Sequence, residues 1–300
     1  MNNEKSGIIN GIIAFVMWGV YPLYWAMLQT ISPQELLINR MFWSFFTLII
    51  FILVFKKMDL LKETLKSLVL NKKKILLLVC AALFLAANWF VFTFSIVEGR
   101  VLEASLGYYI NPLLNVLIGV VFLKEKLNKF QILAVLIALM GVLYLTISYG
   151  VLPWISLVLA FTFALYSLIK KFIAMDSFIS LFLETTLMLP ISVFFFSSWL
   201  ANGQSAFLNS DLKINSLLIG AGLITVLPLF FFAKAASLLQ LKTLGFLQYI
   251  GPSLQMLMAI FVLGESFSKN RLISFVFIWI ACLIFSMSHR LVKKIGLVSP

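Results

Sequence analysis

Against a background of leucine, isoleucine and phenylalanine, a few residues have the chemistry to bind or move a solute. Arg40 lies inside an apolar run. A guanidinium at mid-span costs about 2.5–3.5 kcal/mol on insertion scales unless it is paired or wet, so an intramembrane arginine is a functional hypothesis by default. Ser44 and Thr47 share its helical face. Snorkelling to the nearer surface is the bland alternative, and Glu103, at a compatible depth, is the expected ion-pair partner. Glu184 is the deepest carboxylate. Protonation lets such a group pass between wet and dry surroundings, which makes Glu184 the candidate for proton coupling. Lys234 would instead neutralise it as a structural pair.

A second set repeats along one helix face. Ser105, Tyr108, Pro112, Asn115 and Gly119 follow at spacings of three and four. At an offset of 140 they map onto Gly245, Gln248, Pro252, Gln255 and Ala259. Amides and a phenol on such a face can hydrogen-bond a solute in a cavity, and each proline frees a backbone carbonyl. Small residues also allow close helix packing, with Asn and Gln bonding between helices. Trp18, Tyr21 and Trp25 form an aromatic stripe. A membrane-surface belt explains Trp25, whereas Trp18 sits deep enough to face a cavity. Asn88 fits cavity lining and interhelical bonding equally well.

The elements that must position these residues follow from composition. The chain has 300 residues, 62% hydrophobic and 11% charged. A soluble domain carries about a quarter charged residues, so the apolar surplus calls for a lipid bilayer as solvent. Ten apolar runs are long enough to span it: about 7–29, 35–55, 75–97, 101–123, 129–149, 152–170, 177–198, 214–235, 241–263 and 270–290. The fold class is therefore an all-α integral membrane protein. With the N-terminus inside, eighteen of the basic residues fall on the inner side and four on the outer. This places both termini in the cytoplasm. The net charge of +12 is explained by those inner loops, and no soluble basic module for nucleic acid is present.

The 140-residue offset has a larger consequence. Residues 101–131 align with 241–271 without a gap, pairing Tyr109 with Tyr249, Ile110 with Ile250, Pro112 with Pro252 and Glu125 with Glu265. The fourth span thus matches the ninth, and the chain divides into five-span halves, 1–149 and 150–300. Five is odd, so the second half enters the membrane from the opposite side. Inverted repeats of this kind place a substrate site near the midplane between the halves.

Other chemistries find little support. His289 is the one histidine, and Cys80 and Cys282 have no CxxC partner, so neither a metal site, a cofactor nor a catalytic constellation is expected. No phosphate-binding G-x-x-x-x-G-K-[ST] occurs. Glu98, Arg100, Glu125 and Glu265 read as solvated loop-edge groups. A secondary carrier of small molecules is the leading reading. A lipid flippase or a non-transporting membrane subunit is the alternative.

Several stretches resemble the RarD branch of the EamA family, within the drug/metabolite transporter superfamily. They are the run from Glu98 to Leu113, Asn88-Trp89, Leu183-Glu184-Thr185, the run from Leu244 to Pro252, Phe277-Ile278-Trp279, Trp18-Gly19 with Pro22, and Arg40 with Trp43-Ser44. The resemblance implies a ten-helix inverted repeat in a bacterial inner membrane, with a central cavity lined by spans 1–4 and 6–9. Spans 5 and 10 are then peripheral and open to homodimer contacts. It also implies export or carriage of small metabolites or drugs, in a branch labelled by chloramphenicol sensitivity. Two positions depart from the pattern. Asn39 stands where the family has His before the arginine, and Lys124 precedes Glu125 where Gly is usual, while the second half keeps Gly264-Glu265.

Overall fold

The computed structural model describes residues 3–97, 101–150, 154–173, 175–262 and 269–294. Side chains are described for these apart from a few helical positions, among them 22, 101–106, 271 and 289–294. Twelve helices follow in order: α1 (Asn3–Ala26), α2 (Pro33–Val54), α3 (Met58–Val69), α4 (Lys72–Val97), α5 (Val101–Leu123), α6 (Lys129–Tyr149), α7 (Trp154–Ile173), α8 (Ser177–Ala201), α9 (Leu212–Leu238), α10 (Leu241–Gln248), α11 (Ile250–Phe261) and α12 (Lys269–Lys294). Among the described residues, seven helices are long and apolar enough to cross a membrane, with shorter apolar stretches at Gly107–Leu123 and Leu272–Ser288. A helix satisfies its own backbone in lipid, which is why this composition yields helices. Large apolar side chains such as Leu83, Phe90, Phe122, Ile147 and Phe194 point outward. That is the reverse of a soluble surface and marks the lipid-facing shell.

Helix ends follow local chemistry. The Ser32 hydroxyl accepts from the Glu35 amide at 3.3 Å, with Pro33 opening α2. Asn128 and Gln131 form a capping box at α6. Asp176 and Asp211 cap α8 and α9. Gly150 ends α6 at φ 70°, a left-handed conformation that glycine adopts without strain.

Two elements differ from the sequence expectation. Residues 56–74 carry seven lysines and read as a loop, yet α3 forms there. Its Leu61 and Leu68 bury against Ile52, Leu78, Ile173 and Ile179 while its lysines stay outside. The run 241–263 is not one helix but two, α10 and α11, meeting at Tyr249. Pro252 has no N–H for the Gln248 carbonyl, so the ladder lacks a bond at this junction, although α5 runs unbroken through the corresponding Pro112.

Packing brings distant helices together. α1 packs on α9, α10 and α11; α7 packs on α4, α5 and α9; α2 packs on α8 and α9; α5 meets α10; and α6 pairs with α12. Close approach needs missing side chains at two crossings. A Cβ on Gly245 of α10 would sit 2.6 Å from the Pro112 carbonyl oxygen of α5, and one on Gly222 of α9 would collide with the Trp43 backbone of α2.

Candidate functional site

Arg40 is the centre of the polar structure. The eighth residue of α2, it is carried between the ends of α1 and α4 and the start of α5. Its guanidinium carbon lies 5.1 Å from the ring centroid of Trp25 and 5.1 Å from that of Trp89. Cation–π attraction from two indoles offsets part of the cost of burying the charge. Arg40 Nε donates to Thr225 Oγ1 of α9 at 3.2 Å. The phenols of Tyr21 and Tyr108 lie within its electrostatic reach. Tyr108 keeps 43% of its surface exposed, while the Tyr21 hydroxyl is buried without a described hydrogen-bond partner. Among the described residues no carboxylate forms an ion pair with Arg40. The expected partner Glu103, like Ser105 of the helix-face pattern, has its side chain outside the described residues.

A layer of aromatic rings lies beneath this cluster. Trp18 sits 5.6 Å from Phe15, 5.9 Å from Phe163 and 5.6 Å from Phe232, centroid to centroid. Tyr166 stacks beside Phe232. Trp18 therefore belongs to a packed ring layer joining α1, α7 and α9 rather than to the Arg40 cluster. Below the layer, Glu184 has no exposed surface. Its Oε1 accepts from Lys170 Nζ at 2.7 Å and Ser180 Oγ at 2.7 Å, and its Oε2 accepts from Tyr166 Oη at 3.0 Å. The partner is thus Lys170 and not Lys234. A pocket of about 300 Å³ lined by Lys57, Asp176 and Lys234 lies further on, where Lys57 pairs with Asp176. From Arg40 to the last residue of α2 is roughly 21 Å along the axis.

The helix-face pattern is mostly packed. Asn115 is fully buried: its amide donates to Gln248 Oε1 at 2.5 Å and to Asn111 Oδ1 at 3.1 Å, and its own Oδ1 has no described partner. Pro112 lies at the Gly245 crossing. Gln255 Nε2 donates to the Trp18 carbonyl at 3.1 Å. That carbonyl is the one Pro22 cannot bond, so the glutamine replaces a lost helical bond. Pro252 stands at the α10–α11 junction described above. Asn88 donates to the Leu159 carbonyl at 2.9 Å and to Thr162 Oγ1 at 3.0 Å, tying α4 to α7. Ser44 is fully buried at the close α2–α9 crossing. Asn115, Gln248, Gln255 and Asn88 thus bond helices together, while Ser44, one turn on from Arg40 and with its hydroxyl unpartnered among the described residues, packs at the α2–α9 crossing.

Four more residues complete the cluster: Tyr21, Trp25, Trp89 and Thr225. Tyr21 and Trp25 were visible in the stripe with Trp18, four residues apart, but nothing in the chain pointed to α9 as the source of Thr225. Glu125 also differs from expectation. It is 9% exposed, and its carboxylate accepts from the Leu241 amide at 2.8 Å and the Lys242 amide at 3.0 Å, capping α10 from the other half of the chain. Among the described residues no three His, Cys, Asp or Glu side chains come together to hold a metal.

Multiple spanning helices around a charged, aromatic-walled cluster define a multi-pass bacterial membrane protein of the drug/metabolite transporter type. The chain belongs to the RarD branch of the EamA-like transporter family, whose profile matches residues 5–147. It is 42% identical over 290 residues to a protein of Vibrio cholerae serotype O1 named as a transporter, covering 95% of this chain and 93% of that one. It is 36% identical over 283 residues to Protein RarD of Escherichia coli, covering 94% of each. A solved crystal structure aligns with a TM-score of 0.70 at 17% identity, over 95% of this chain and 99% of its own, which shows a shared fold.

Proposed function

We propose that this protein is a secondary carrier, an exporter or permease of small metabolites or drugs, in which two inverted five-span halves, 1–149 and 150–300, enclose a central solute site in a bacterial inner membrane. Both termini are then cytoplasmic, on the side of the lysine-rich loops. The observation that carries the reading is the placement of Arg40. It lies in apolar surroundings between helices of both halves, with indoles on its faces and a partly exposed tyrosine beside it.

Helix pairing supports the repeat. Exchange α1 with α7, α2 with α8, α4 with α9, α5 with α10 and α11, and α6 with α12. Then α1 on α9 becomes α7 on α4, α1 on α11 becomes α7 on α5, and α2 on α9 becomes α8 on α4, all of which occur. The pairs α2–α8, α5–α10 and α6–α12 map onto themselves. The family profile also covers one half almost to its boundary.

The ring layer of Trp18, Phe163 and Phe232 with the Glu184–Lys170 pair closes the site from the lysine-rich side. Transport then requires this layer to part while the opposite end closes. Coupling through Glu184 would further require the Lys170 pair to open. Purified protein in proteoliposomes should show counterflow of at least one soluble compound from a metabolite panel. Translocation of labelled lipid without any soluble counterflow would favour a flippase instead.

A further inference from the structure

Resting on that reading of the Arg40 cluster as the solute site, we infer that its solute is a compact organic monoanion whose carboxylate docks on Arg40. The guanidinium carries five N–H donors in a rigid fork. Trp25 and Trp89 cover its vicinity at 5.1 Å each, and Nε is occupied by Thr225. The four N–H groups of the two terminal nitrogens have no acceptor among the described residues, and neither nitrogen is among the buried, unpartnered polar atoms. Arg40 is half-buried and not closed off, which leaves that edge open to a ligand. A planar carboxylate matches that edge with two parallel hydrogen bonds.

The neighbours narrow the class. The Tyr21 hydroxyl, within electrostatic reach of the same guanidinium, is buried without a described partner. A buried polar atom in that state calls for a ligand or water to complete it, and a carboxylate oxygen on Arg40 supplies an acceptor. Tyr108 offers an exposed ring for the apolar body. One arginine neutralises one negative charge. The described cluster gives an ammonium group no carboxylate: Glu184, Glu35 and Glu125 are engaged elsewhere, with Lys170, with Ser205 and Ala206, and with the α10 amides. Cations and zwitterions are thereby disfavoured.

Three probes of nearly one shape test the class: phenylacetate, phenylacetamide and phenethylamine, titrated calorimetrically into the protein in nanodiscs. Phenylacetate should bind about tenfold or more tighter than the amide, as a charge-assisted pair exceeds a neutral one, and the amine should be weakest. Arg40→Gln should bring the ratio of acid to amide close to one. Arg40→Lys, which keeps the charge and loses the fork, should leave an intermediate ratio and decides the matter if the glutamine variant fails to fold. Glu103→Gln should leave the preference in place. A preference seen only in Glu103→Gln would mean that Glu103 already neutralises Arg40, and it overturns the proposal. So does equal binding of acid and amide, tighter binding of the amine, or silence of all three at millimolar concentration. Counterflow of neutral or cationic solutes with no phenylacetate binding would leave the carrier standing and remove the anion. Phenylacetate binding with no counterflow of any soluble compound would do the reverse.

Discussion

The hydroxyl of Tyr249 reaches to 3.4 Å from the backbone carbonyl of Tyr109, 140 residues away. That interval is the same one at which the two Tyr-Ile-x-Pro stretches align. Both tyrosines are buried, at 2% and 8% exposure. Under the proposed repeat, corresponding residues can touch only near the axis relating the copies, so this contact supports a meeting of the two halves where α5 packs on α10.

The Asn115–Gln248 bond holds that crossing. Replacing either residue with leucine strands a buried amide, and each single change should lower stability by about 1–2 kcal/mol. The double variant should lose less than the sum. Thermal unfolding of the four proteins of the cycle in detergent measures the coupling, and strict additivity would refute it.

Glu184→Leu alone leaves Lys170 buried and unpaired, a change of the kind that costs about 3–5 kcal/mol. Adding Lys170→Met removes the stranded charge and should recover most of the melting temperature. If the double variant melts as low as the single one, the ion pair is not what stabilises this region. The pH dependence of counterflow in the double variant then reads out coupling: unchanged dependence removes Glu184 from any proton pathway.

Pro22 and Gln255 should be coupled in the same way. Gln255→Leu exposes the unsatisfied Trp18 carbonyl and should destabilise by about 1–2 kcal/mol. In a Pro22→Ala background the helix can bond that carbonyl itself, so Gln255→Leu should matter little. An equal loss in both backgrounds, by thermal unfolding, would show that Gln255 has another task.

Glu125→Ala removes both acceptors from the start of α10. A loss of about 1–2 kcal/mol is expected, as for an N-terminal cap reinforced by charge, with Glu125→Gln milder. A melting temperature equal to the parent's would contradict the capping role.

These residues show how far the sequence reached. Apolar length located a helix over each expected run, because in lipid the backbone has no cheaper solution. The same length rule missed α3, whose amphipathic pattern was masked by its lysines, and the α10–α11 break, where Pro252 had signalled a freed carbonyl but not the end of a helix. Arg40 stood out by cost alone. Its surroundings did not, since Trp89 and Thr225 come from α4 and α9 and sequence spacing carries no information about which helices meet. The same limit explains Glu184: depth alone pointed to Lys234, and packing supplies Lys170 instead. Asn115, Gln248 and Gln255 were correctly polar and inward, but a face that lines a cavity and a face that bonds helices have the same spacing.

Site accessibility tests the central claim most directly. In a Cys80→Ser, Cys282→Ser background, a Tyr108→Cys variant in vesicles of known orientation is exposed to a membrane-impermeant maleimide from each side. A water-filled solute site closed by the Trp18 layer predicts labelling from the side opposite the lysine-rich loops and little from the other. A cysteine inert from both sides would place position 108 against lipid and contradict a solute site at Arg40.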